Sequence, residues 1–116
     1  MVDNSLKFKI ASSIDMYIKV LGENFKDLED KAESKQKLTM EFKEGTLDTI
    51  HCLEVALYRA KMYNIVMSKR YLVDTFQNFN HILNSTARKD VPDYEYVEIL
   101  NYKMVSILTF IIDHII

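Results

Sequence analysis

The stretch Leu38-Thr39-Met40-Glu41-Phe42 decides between two folds. Its apolar residues alternate, as they do in a half-buried strand. Leu6, Phe8 and Ile10 alternate in the same way, so residues 6–10 and 38–42 can be read as a two-stranded hairpin in a small α+β domain. Read as helix instead, both stretches belong to an all-α chain. Helical periodicity on either side of them favours the second reading: a small helical bundle of about four helices, forming a single helical domain over residues 1–116.

Working outward, segment A spans about Ser5–Leu21. Ile10, Ile14, Tyr17 and Leu21 recur at helical spacing, with Ala11, Ile18 and Phe25 alongside, and Gly22 suits the position just past a helix end. Glu23–Lys37 follows, with nine charged residues in fifteen, a composition that fits a solvated helix or a mobile connection. Segment B begins near Gly45–Thr46, with Thr46 as N-cap, and runs to about Met67 on Ile50, Leu53, Leu57 and Ala60. Segment C covers about Ser68–Thr86 on Leu72, Phe76, Phe79 and Leu83. Neither glycine nor proline lies between Tyr63 and Arg70, so B and C are either two helices joined by a polar turn near Asn64–Lys69 or one long bent helix. Asn84–Pro92 reads as a loop. Asp93 then suits the N-cap of segment D, which runs to the C-terminus on Val97, Leu100, Met104, Ile107, Ile111 and Ile115.

Composition narrows the function classes. The chain has 116 residues, 48% of them hydrophobic and 28% charged, with only two glycines and one proline. So few turn residues weigh against hairpin-rich folds and against Gly-rich phosphate loops. A net charge of −2 supplies no global attraction to nucleic acid. The single cysteine, Cys52, has no intramolecular partner, and the N-terminus lacks the apolar core of a signal peptide. A reducing, cytoplasmic setting is the expectation. Ile107–Ile116 is the longest apolar stretch and about half of what a membrane span requires, so no membrane association is expected.

The polar candidates are few. Glu44, Asp48 and His51 fall at i, i+4 and i+7, a spacing that places them on one helical face able to share a divalent metal. Di-iron bundles need inward carboxylates on four helices and Glu-x-x-His pairs, which are absent, and the three residues lie opposite Leu53 and Ala60. They read as a solvated face. His51 also admits a phosphotransfer reading, in which an exposed helical histidine accepts a phosphoryl group. Histidine phosphotransfer domains are four-helix bundles of this length whose histidine is followed by Leu, Lys and Gly. Only Leu53 matches here, and Glu54 and Val55 stand where the cation and the small residue belong. Cys52 adjoins His51 in sequence, but neighbours at i and i+1 do not face each other on a helix, so it reads as a packing residue. His81 reads as part of a polar row, and His114 as a packing residue beside Phe110. Arg59, Lys61, Lys69 and Arg70, interleaved with Tyr58, Tyr63 and Tyr71, form a candidate patch for an acidic partner and, as a third reading, for nucleic acid. No catalytic constellation is legible, so no enzyme, cofactor, metal or small-molecule substrate is expected.

One feature rises above this background. Segment D is apolar nearly all round after Leu100: Val105, Leu108, Ile112 and Ile116 lie off its main stripe. Segment B repeats the excess with Val55, Tyr58 and Met62. A bundle helix that faces one core should be polar on its far side. Either one of these helices is wrapped by the others, or the surplus forms an interface. The interface reading is preferred: a small non-enzymatic interaction protein (adaptor, inhibitor, immunity factor or chaperone), homodimeric or bound to a protein partner through these seven residues.

Overall fold

Thr39 settles the reading of residues 38–42. Its backbone is extended, with φ −76° and ψ 156°, and its hydroxyl accepts a hydrogen bond from the Phe42 amide at 3.1 Å. This satisfies one of the amides left unpaired at a helix start, and the chain coils from Met40 onward. The computed structural model describes residues 4–89 and 91–115. Among them are four helices and no strand: α1 (Asn4–Glu33), α2 (Met40–Met62), α3 (Lys69–Ala87) and α4 (Tyr94–His114). The all-α reading holds and the hairpin is overturned. Residues 6–10 lie inside α1, and Met40 and Phe42 lie inside α2. A local cap outweighs three alternating side chains that have no sheet to join.

Three boundaries differ from expectation. Gly22 does not end α1, which runs eleven residues further to Glu33. A glycine costs a helix only about 1 kcal/mol. Phe25, Leu28 and Ala32 continue the buried stripe through the charged stretch and outweigh that cost. Thr46 is not an N-cap: α2 begins six residues earlier, and Thr46 is buried within it. Asn84–Ala87 belongs to α3 rather than to a loop, with Thr86 facing the core.

Segments B and C are two helices. Asn64 turns left-handed at φ 52°, and the amides of Asn64 and Ile65 return to the carbonyls of Lys61 and Ala60 at 3.2 and 2.9 Å. That is a Schellman stop, in which asparagine takes the place usual for glycine. Ile65, buried just beyond the helix, anchors it. Lys35 (φ 57°) closes α1 in the same way, with the Gln36 amide on Lys31 and the Lys35 amide on Ala32. Ser68 then caps α3 by accepting from the Tyr71 amide at 3.3 Å.

The helices stand in a ring. α1 packs against α2 and α3, and α4 packs against α3 and α2, so α1 and α4 lie on one diagonal and α2 and α3 on the other. The molecule measures 50 × 25 × 17 Å, and its length is close to that of α1, about 45 Å at 1.5 Å per residue. Its centre is filled by Ile14, Leu21, Phe25, Ile50, Leu53, Leu57, Leu72, Phe76, Leu83, Leu100, Met104 and Ile111. Phe79 meets Phe25 and Phe76 edge to face, at centroid distances of 5.1 and 5.3 Å.

One end of the ring is tied by polar contacts between its two loops. Asp93 occupies the N-cap position of α4, as expected, but its carboxylate makes no cap bond there. It accepts instead from the Leu38 amide at 2.9 Å and pairs with Lys43 at 2.7 Å. Burial alone would raise its pKa. The Leu38 amide, the Lys43 ammonium and the charge of Lys37 together outweigh that and hold it below the ordinary carboxylate value. The Tyr96 hydroxyl donates to the Lys43 carbonyl at 3.0 Å, and burial raises its pKa. Lys89 pairs with Glu33 at 2.8 Å, which lowers the Glu33 pKa and raises that of Lys89.

Candidate functional site

The ring geometry leaves furrows between α1 and α2, between α2 and α4 and between α1 and the start of α3, and an outer side on each helix. The expected interface residues divide between these surfaces. Asn101 of α4 donates to Asn84 of α3 at 2.9 Å, which marks the α3-facing flank of α4. Leu108 follows on that flank, half-buried and packed against the protein's own core. Val105 and Ile112 lie just outside it, 49% and 48% exposed. Tyr102, also exposed, extends the same outer side. Ile116 lies outside the described residues. On α2, Val55 borders the furrow shared with α1, Tyr58 borders the furrow shared with α4, and Met62 is exposed near the helix end. The six described residues are therefore not one continuous patch.

The basic group is also dispersed. Arg59 faces the α1–α2 furrow, whereas Lys61 on the other flank of α2 sits over the Phe110 ring of α4 at 6.0 Å. Lys69 donates to the Ile112 carbonyl at 2.5 Å, tying the start of α3 to the end of α4. Arg70 is exposed on α3. Tyr58 and Tyr71 line different furrows, so these two rings do not share one stacking platform.

Glu44, Asp48 and His51 all lie on α2, because Gly45 leaves the helix unbroken, and all three are exposed. Among the described residues no three His, Cys, Asp or Glu side chains converge on a position that could hold a metal. His81 is exposed on α3, and the His114 ring lies 4.9 Å from that of Phe110.

A furrow lined by polar side chains that sequence reasoning missed lies between α1 and α2. It measures about 470 Å³ and is lined on the α1 side by Leu6, Lys9, Ile10, Ser13 and Tyr17. Its α2 side is His51, Cys52, Val55, Ala56 and Arg59. Two cations, a histidine, a hydroxyl, a phenol and a thiol border an apolar floor, and among the described residues no carboxylate takes part. Glu54, which spoiled the phosphotransfer pattern in sequence, faces the α2–α4 furrow instead. Half of the lining comes from each of two helices some forty residues apart in sequence, so no local spacing carries the signal.

No helix among the described residues is long and apolar enough to cross a membrane. Compared with protein-family models, with curated proteins and with solved structures, the chain has no significant match.

Proposed function

We propose that the protein is a small non-enzymatic interaction domain that works by covering a surface, its own in a homodimer or that of a protein partner. An adaptor, an inhibitor, an immunity factor and a chaperone all fit this description. The observation that carries the reading is the outer side of α4. A helix wrapped by the other three would have its surplus apolar residues covered, but the backbone of α4 comes close only to α3 and α2. Val105 and Ile112 remain about half exposed, with Tyr102 beside them. Burying an aliphatic side chain completely contributes about 1.5–3 kcal/mol, so each of these two has roughly half of that still to gain. A two-fold contact would count each residue twice.

Light scattering on the eluting chain tests this. A dimer at twice 13.7 kDa that falls to monomer in Val105→Glu or Ile112→Glu supports it. A strict monomer that is unaffected by Val105→Glu or Ile112→Glu removes its main support. The alternative of a phosphotransfer module using His51 draws on the exposure of that residue in a furrow whose other end carries Lys9 and Arg59. It requires acid-labile labelling by a phosphodonor that disappears in His51→Gln.

A further inference from the structure

We infer that the α1–α2 furrow is a docking site for an acidic amphipathic helix of a partner protein. The site is separate from the outer side of α4, although it rests on the same reading of the chain as an interaction domain.

Length, wall and charge each restrict the occupant. The α1 wall runs from Leu6 to Tyr17 and the α2 wall from His51 to Arg59. At 1.5 Å per residue these are about 16 and 12 Å long, roughly three and two turns of helix. Both walls are helices whose backbone groups are already paired internally, so they offer no edge to an extended strand. An occupant must satisfy its own backbone while lying on the apolar floor, and a helix does so. Leu6, Ile10, Val55 and Ala56 would receive its apolar side chains at i, i+3 or i+4, and i+7.

Charge selects the flanks of that helix. α1 and α2 run in opposite directions, so Lys9 and Arg59 border the same end of the furrow from opposite walls, while Tyr17 and His51 border the other end. With no carboxylate among the described lining residues, the cations are complementary to acidic residues on either side of the occupant's apolar stripe. The same arrangement disfavours a second copy of the chain using this furrow on itself. A two-fold contact would press this cationic lining against itself and offer Lys9 and Arg59 no acidic lining residue among those described.

The test titrates the full chain into a fluorescently labelled synthetic helix of about four turns, with leucines on one stripe and glutamates flanking it. A matched peptide carries lysines in place of the glutamates. The glutamate peptide is expected to bind, and its affinity to fall about tenfold or more in Lys9→Glu/Arg59→Glu and in Val55→Glu. High salt should weaken it, and the lysine peptide should not bind. Circular dichroism melting confirms that the variants fold, since Lys9, Val55 and Arg59 are all exposed. Equal binding of both peptides, indifference to the Lys9/Arg59 change, or no binding overturns the inference. So does binding to anionic phospholipid vesicles in place of the peptide. Val105→Glu should leave peptide affinity unchanged, so failure of the α4 contact and failure of the furrow are told apart.

Discussion

At the scale of single residues, three backbone positions are under-optimised, and the structure says in which direction. A Cβ placed on Gly22 would meet the Phe79 ring at 3.7 and 3.9 Å, ordinary contact distances, and one on Gly45 would meet nothing within 4 Å. Both glycines lie within helices. Gly22→Ala and Gly45→Ala are each expected to stabilise by about 0.5–1 kcal/mol, read as a higher urea midpoint with unchanged slope, and to add in the double variant. Lys35 is left-handed at φ 57°, where a Cβ is strained, so Lys35→Gly should gain a similar amount. The opposite sign is expected at Phe76. It is fully buried, and its ring meets Phe79 edge to face, so Phe76→Ala should cost about 3–5 kcal/mol in the same measurement.

At the scale of elements, the tie between the two loops concentrates on Asp93. One carboxylate holds the amide of Leu38, before α2, and the ammonium of Lys43, within it, from the start of α4. Its pKa is lowered in the fold from an ordinary value of 3.8. A lowered carboxylate contributes stability that is fully present above the unfolded value and is lost as pH falls through the folded one. Asp93→Asn should therefore lower stability at neutral pH by about 1–3 kcal/mol, the worth of hydrogen bonds to a charged group. It should also flatten the loss of stability that the wild type suffers below about pH 4. Equilibrium denaturation across that range checks both. An equal acid loss in the variant would place the tie elsewhere. Sequence marked Asp93 as a helix N-cap, and the position was right. Its bonds go to a loop some fifty-five residues away, which no local motif encodes.

At the scale of the whole molecule, the ring is what leaves apolar surface over. Each helix has two neighbours and an open outer side, in a body only 17 Å through its thinnest direction. So slim a bundle has few places to hide side chains off the main stripe. Val105 and Ile112 consequently stay on the outside, while Leu108, nearer the α3 seam, is drawn partly in. A double variant with glutamate at both 105 and 112 should keep its helical signal and lose no more than about 1.5–3 kcal/mol of monomer stability, the half of each side chain's burial that the fold already uses. A large loss of monomer stability would instead assign the two residues to folding rather than to contact with a partner.

Local sequence determined the helices and their buried stripes. Ile10 through Ala32, Ile50 through Ala60, Leu72 through Leu83 and Val97 through Ile111 all recur at helical spacing and are all buried, because a period near 3.6 has only one way to face a core. Local sequence was less able to place helix ends. Gly22 and Thr46 have the chemistry of a stop and a start, yet continued burial beyond the one and before the other overrode it. Tertiary structure alone decided which flanks meet. The furrow that joins Lys9 to Arg59, the separation of Arg59 from Lys61 on two sides of one helix, and the openness of α4 all follow from the order of four helices around a ring. That order is set by the packing of all four stripes at once, and no one of them specifies it.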